Sequence, residues 1–192
     1  NCGFTQARIN GLDGHYSQVL IDSRPVFSAL AGVYGLEQIP SSMIDRVEVV
    51  RGGGSALFGA SAIGGTINII TKEAMSSSAG ISHDLTSIGV SGALDNNTSL
   101  NASMVTDDGR GGLFVFGHKR LRDGYAADGD GFTDIPMINS ITVGTRGHLR
   151  VNPFSKIRLE YHGTKEFRRG GDRLDIPAHE ALVAEQTEHT NN

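Results

Sequence analysis

The chain has no tryptophan and a single cysteine, and neither sign of charge prevails, with 17 Lys and Arg against 21 Asp and Glu. Cys2 alone closes no internal disulfide and lacks the neighbouring ligands of a zinc site. It reads as an unpaired small residue or as the partner of a thiol outside the chain. The absence of a basic block argues against nucleic acid as a partner. No apolar run reaches the ~18 residues of a membrane-spanning helix. That leaves barrel strands open, because they need only ~9–11 residues each and alternate in polarity. There is no Gly-x-Ser-x-Gly elbow and no His-Glu-x-x-His pair, so the chain reads as a non-enzyme.

What is abundant is glycine, with 26 residues, and its use divides the chain into two textures. Residues 1–73 mix short apolar runs with dense glycine. Val19-Leu20-Ile21-Asp22 is a short buried-strand pattern closed by Ser23-Arg24-Pro25. The run 42–45 after Pro40 suits one helical turn, and Val47-Glu48-Val49-Val50 and Thr66 through Thr71 read as strands. From about residue 79 the period is two. Ile141, Val143, Leu149 and Val151 point one way, and Thr142, Arg146, His148 and Arg150 the other. After a turn at 152–155, Ile157, Leu159 and Tyr161 oppose Lys156, Arg158, Glu160 and His162. More weakly, Leu100, Ala102 and Met104 alternate with Ser99, Asn101 and Ser103, and Leu113 through Phe116 follow a turn. Tight turns at 107–110 and 152–155 alternate with long polar connections at 122–138 and 166–192, the layout of an outer-membrane barrel.

The glycine cluster Gly52-Gly53-Gly54 fails as a phosphate loop, because no lysine follows the last glycine of the run before Lys72. A structural turn is the better reading. Around it, Arg51 through Gly59 and then Ala62 through Lys72 resemble the end of a plug domain from the TonB-dependent outer-membrane receptors. Val19 through Pro25 and Ile44 through Val50 resemble two earlier plug strands, in the right order. Leu30-Ala31-Gly32-Val33-Tyr34-Gly35 is most similar to the vitamin B12 (cobalamin) receptor branch. Ser23 departs from the family, which commonly has glycine at that position.

The resemblance implies an α+β plug domain (1–73) inside a transmembrane antiparallel β-barrel, of which residues 74–192 supply about the first five strands. It implies a Gram-negative outer-membrane receptor that imports a large chelate, cobalamin or a ferric siderophore or haem, on energy delivered by TonB with ExbB and ExbD. A surface lipoprotein and outer-membrane lipid are further partners of such receptors. Substrate would meet His15 and Tyr16 at one plug tip and Phe27, Ser28, Ala29 and Leu30 at another. Arg46, Glu48 and Arg51 would form the plug–barrel lock. No cofactor is required, but Asp128, Asp130 and Asp134 suit calcium in an outer loop, since glycine bends bring alternating carboxylates together. The same residues suit a hydrated loop tip. The seven histidines are scattered and read as polar lining, and Arg168-Arg169-Gly170-Gly171-Asp172-Arg173 suits an anion or lipopolysaccharide, or plain solvation. The rival reading is a soluble β-rich ligand-binding or adhesion module.

Overall fold

A computed structural model of the chain describes residues 7–25, 39–53, 62–90, 92–128 and 130–191. The chain divides into two compact units, Phe4–Lys72 and a second built from Glu73–Asn192 together with Asn1–Gly3.

The first unit holds a four-stranded mixed sheet of β1 (Ser17–Ile21), β2 (Arg24–Pro25), β3 (Ile44–Arg51) and β4 (Gly65–Thr71), in the order β2-β1-β4-β3. The β-formers expected at 66–71 make β4 the central strand, parallel to β1 and antiparallel to β3. Leu20 and Ile69 are buried from adjacent strands, on opposite faces of the sheet, and Ile9 is buried as well. The helical turn expected at 42–45 is a 3-10 turn over Ser41–Met43, and Ile44 already belongs to β3.

The β1–β2 hairpin turns on Asp22 (φ 47°) and Ser23 (φ 64°), both left-handed. That geometry explains why glycine suits the second position, and it strains a serine by ~1 kcal/mol or more. Side chains compensate. Asp22 accepts from the Thr71 N–H at 3.0 Å and from its hydroxyl at 2.6 Å. The Ser23 N–H donates to Asn68 Oδ1 at 2.9 Å.

The second unit is a six-stranded antiparallel sheet in which every strand pairs with its sequence neighbour. Its members are β5 (Ser78–Ile88), β6 (Ala93–Val105), β7 (Gly111–Arg122), β8 (Met137–Asn152), β9 (Ser155–Gly171) and β10 (Ala184–Asn191). The expected strands are all present, but the reading of 166–192 as one long loop is corrected. β9 continues to Gly171, and β10 returns along it from Ala184 to Asn191. After Ala184, β10 carries Glu185, Gln186, Thr187, Glu188, His189 and Thr190, with no large aliphatic residue. It therefore shows no hydropathy alternation, and only its backbone pairing reveals it.

β5 through β9 run 11 to 17 residues, enough for the ~9–11 that a tilted strand needs to cross a bilayer. The register aligns one face throughout. Ile81 pairs with Leu100, Ala102 with Val115, Met104 with Leu113, and Leu149 with Ile157. On that face Ile81, Leu100, Val115, Val143, Leu159 and Tyr161 are 37–79% exposed. The opposite face is inverted in character: Ser99, Ser103, Thr142, Arg146, Thr164, Glu166 and Arg168 are buried. A water-soluble sheet hides its aliphatic face and wets its polar one. This sheet does the reverse, as expected for strands between acyl chains and a polar lumen.

Candidate functional site

The polar face of the second sheet is organised by pairs. Arg120 on β7 grips Asp95 on β6 at 2.7 and 3.1 Å, and Arg146 on β8 meets Glu160 on β9 at 2.5 Å. Arg168 bonds Glu166 two residues away on β9, at 3.2 Å, and Thr142 and Thr164 share a hydrogen bond at 3.0 Å. His118 contacts Asn97 on β6. His148 and His162 lie on this same face, since their register partners are Arg158 and Gly144. Among the described residues no three His, Cys, Asp or Glu side chains gather as a metal site.

At the end of the sheet opposite the tight turns, the loops form a latched rim. The Leu94 N–H donates to Asp123 at 3.0 Å. In the loop 123–136, Tyr125 and Ile135 form an isolated bridge. Thr133 then ties this loop to the end of β9: its N–H donates to the Gly171 carbonyl at 3.0 Å, and its hydroxyl accepts from the Gly171 N–H at 2.9 Å. Phe132 bridges Asp172. The buried Asp172 carboxylate accepts from the N–H groups of Val183 at 3.0 Å and Leu182 at 3.3 Å. The buried Arg169 guanidinium donates to the carbonyls of Gly170, Arg173 and Ile176. The loop 172–183 is thus wound around one carboxylate and one guanidinium.

This settles the arginine cluster read from sequence. Arg168 faces Glu166, Arg169 is consumed by loop carbonyls, and Arg173 pairs with Asp175 at 3.2 Å. None of the three is posed for an anion. Asp172→Ala would leave two backbone donors of the loop without their acceptor. Hydrogen exchange at Leu182 and Val183 is then expected to rise about 10- to 100-fold, the equivalent of ~1–3 kcal/mol. Unchanged protection at both amides would show that the carboxylate does not hold the loop.

The expected calcium ligands are not brought together. Asp128 accepts from the Asp130 N–H at 3.2 Å, Asp130 from the Phe132 N–H at 2.8 Å, and Asp134 from the Ala127 N–H at 2.7 Å. Each carboxylate serves a local turn of its own, the usual behaviour of aspartate near glycine.

In the first unit, the side chains expected to lock plug to barrel bond to one another. Arg46 donates to Glu48 at 2.9 Å and to Asp45 at 3.0 Å, and Asn68 on β4 donates to Glu48 at 3.2 Å. Bonds from Glu48 and Asp45 hold the Arg46 guanidinium above its ordinary range. With Asn68 also bonded to Ser23, the network runs from the β1–β2 turn across β4 to β3. Arg51 ends β3, exposed and in register with Gly65. His15 and Tyr16 fall in the 3-10 turn Gly14–Tyr16, which Asp13 caps at 2.7 Å, and Tyr16 is exposed. Phe27, Ser28, Ala29 and Leu30 lie outside the described residues.

Sequence reasoning missed Asn68, Glu73 and Thr133, and it named Arg169 and Asp172 only as part of an anion-binding or solvated run. Asn68 left a signal, a lone amide between Ile67 and Ile69. Glu73 left none, because its partners lie 83 and 85 residues away. Its carboxylate accepts from Lys156 Nζ at 2.7 Å and contacts the Arg158 guanidinium. The Lys156 hydrogen bond, aided by both positive charges, holds Glu73 below the usual carboxylate range. A depressed folded pKa means that this contribution is present above the ordinary glutamate value of ~4.3 and is lost as pH falls through the lower folded one. The contact is therefore expected to survive at pH 5 and to open only below about pH 4. Protease digestion at stepped pH would check this, with Glu73→Gln removing the step.

A meander with an aliphatic exposed face and a polar buried one, preceded by a small glycine-rich mixed sheet, defines a plugged transmembrane β-barrel. Residues 1–66 match the family described as TonB-dependent Receptor Plug Domain. Over 64 residues the chain is 42% identical to the vitamin B12 transporter BtuB of Vibrio cholerae serotype O1, an overlap of 33% of this chain and 10% of that protein. The same transporter of Photobacterium profundum is 39% identical over 67 residues, 35% of this chain and 11% of that one. Two solved structures share the fold at 18% identity. The siderophore receptor PirA of Acinetobacter baumannii has a TM-score of 0.73 over 85% of this chain and 26% of its own. A ferric enterobactin receptor (PfeA) mutant of Pseudomonas aeruginosa has 0.69 over 84% and 27%. Residues 1–66 therefore carry a TonB-dependent receptor plug domain similar to that of vitamin B12 transporters, and the chain shares the fold of the plug and barrel strands of such receptors. The matched stretch spans about a tenth of the length of those curated relatives.

Proposed function

We propose that this chain is part of an outer-membrane receptor that binds a large metal chelate at the cell surface and imports it on energy relayed by TonB with ExbB and ExbD. The inverted polarity of the β5–β10 sheet carries this reading. An aliphatic face of that extent suits lipid, and the paired charges opposite suit a wet lumen. A soluble binding or adhesion module would leave the same face in water.

Cobalamin ranks first among ligands, since the plug's similarity lies with vitamin B12 transporters. Ferric siderophores and haem rank next, on a shared fold alone. The latched outer loops would receive the ligand, and their internal bonding limits the ordering entropy lost on binding. A surface lipoprotein is a further partner to test at that rim.

The test is uptake of labelled cobalamin and ferric siderophores by Gram-negative cells that lack their own receptors and produce the intact protein, with and without TonB. Cobalamin accumulation that requires TonB is expected. Failure to import any chelate in a TonB-dependent manner would end this reading.

A further inference from the structure

Between β4 and β5 the chain does not simply cross a gap. Residues 73–77 lie along one row of the polar face of the second sheet. The register puts Val105, Gly112, His148 and Arg158 side by side on β6, β7, β8 and β9. Glu73 sits at the β9 end of that row, bonded to Lys156 and Arg158. Ala74 is buried above Gly112. A Cβ on Gly112 would stand 3.0 Å from the Ala74 methyl and 2.5 Å from the His148 ring, so a side chain there would crowd both the imidazole and the strap. At the β6 end, Ser103 donates to the Ser76 carbonyl at 2.6 Å, the Val105 N–H donates to Ser77 Oγ at 3.1 Å, and Ser78 meets Ser103 at 2.9 Å.

The lengths agree. Three interstrand spacings of ~4.8 Å make ~14 Å, and five residues reach at most ~18 Å when extended. The segment is therefore close to taut, fixed by ions at one end and by hydroxyls at the other.

We infer that residues 73–77 are a strap bolted across β9 to β6, and that it stops a pull arriving through the first unit at Glu73 before it reaches β5. The inference rests on the proposed transport function, in which force arrives from TonB. β5 has no strand on its outer side among the described residues. A pull delivered straight to Ser78 would load the β5–β6 ladder one hydrogen bond at a time. The strap spreads the load over β9 and β6, and the Glu73 ion pairs meet it first.

The test is force spectroscopy on the intact receptor in lipid, pulled from its N-terminus. A force barrier is expected at the contour length of residue 73. In Glu73→Gln combined with Ser103→Ala, the barrier should move outward by ~18 Å, to the start of β5, and Glu73→Asp should keep it at the strap. Both variants must keep the heat-resistant mobility of the folded barrel on gels. Gly112→Val offers a second route, displacing Ala74 without touching the ion pairs, and should move the barrier too. A wild-type barrier already at residue 78, or no shift in the double variant, would overturn the strap. Absent chelate uptake with the shift intact would instead count against the transport reading.

Discussion

Gly65→Ala is expected to unfold the first sheet while leaving the second intact. Gly65 has φ +148°, and a Cβ there would stand 2.4 Å from the Val50 carbonyl oxygen and 2.9 Å from the Ile9 side chain. It lies between Ser17 of β1 and Arg51 of β3 in register, so a methyl group disturbs two strand pairings at once. Its neighbour Thr66 is 2% exposed, which leaves the backbone little room to swing. Backbone strain of ~1–3 kcal/mol and overpacking of ~1–3 kcal/mol act together. Against a domain stability of ~5–15 kcal/mol, that is enough to populate the open plug. Protease treatment of the intact receptor should cut the plug rapidly, while the barrel keeps its heat-resistant mobility. A plug as protease-resistant as wild type would show that β4 does not run so close to β3.

Val143→Arg is expected to destabilise the barrel by ~2–4 kcal/mol, the range for a cation near the bilayer midplane on a lipid-facing position. Val143 is half-exposed and pairs with Gly117 and Gly163, on the face that carries Leu100 and Tyr161. His162→Arg makes the matching change on the opposite face, beside Gly144, and should be nearly neutral. Denaturant titration of the two variants in the same lipid decides the matter. Equal effects would mean that the aliphatic face meets protein instead of acyl chains, and the membrane reading would fail with it.

The two faces of β8 and β9 were legible in the sequence because strand periodicity is local: Ile141, Val143, Leu149 and Val151 alternate whatever lies beside them. The plug strands were legible through ordered motifs around Gly52 and Thr66. β10 was not legible, since its residues are polar on both faces and it is a strand only by pairing with residues 164–171 of β9. The arginine run at 168–173 looked like one basic patch because sequence order hides alternation of faces. In the fold, Arg168 points to Glu166 while Arg169 is wrapped by loop carbonyls. Asp128, Asp130 and Asp134 looked convergent because spacing says nothing about which N–H each carboxylate accepts from.

By itself the sequence determined the class of fold, the direction in which the faces of β8 and β9 point, and the glycine-dense plug. All of these follow from near-neighbour patterns, in which steric demand and hydropathy act over a few residues. Tertiary structure alone decided the sixth strand, the loop wound on Asp172 and Arg169, and the strap from Glu73 to Ser78. Those features join groups whose separation runs from a few residues around Arg169 to 85 at Glu73, and in each the gain depends on distance in space that no local preference records.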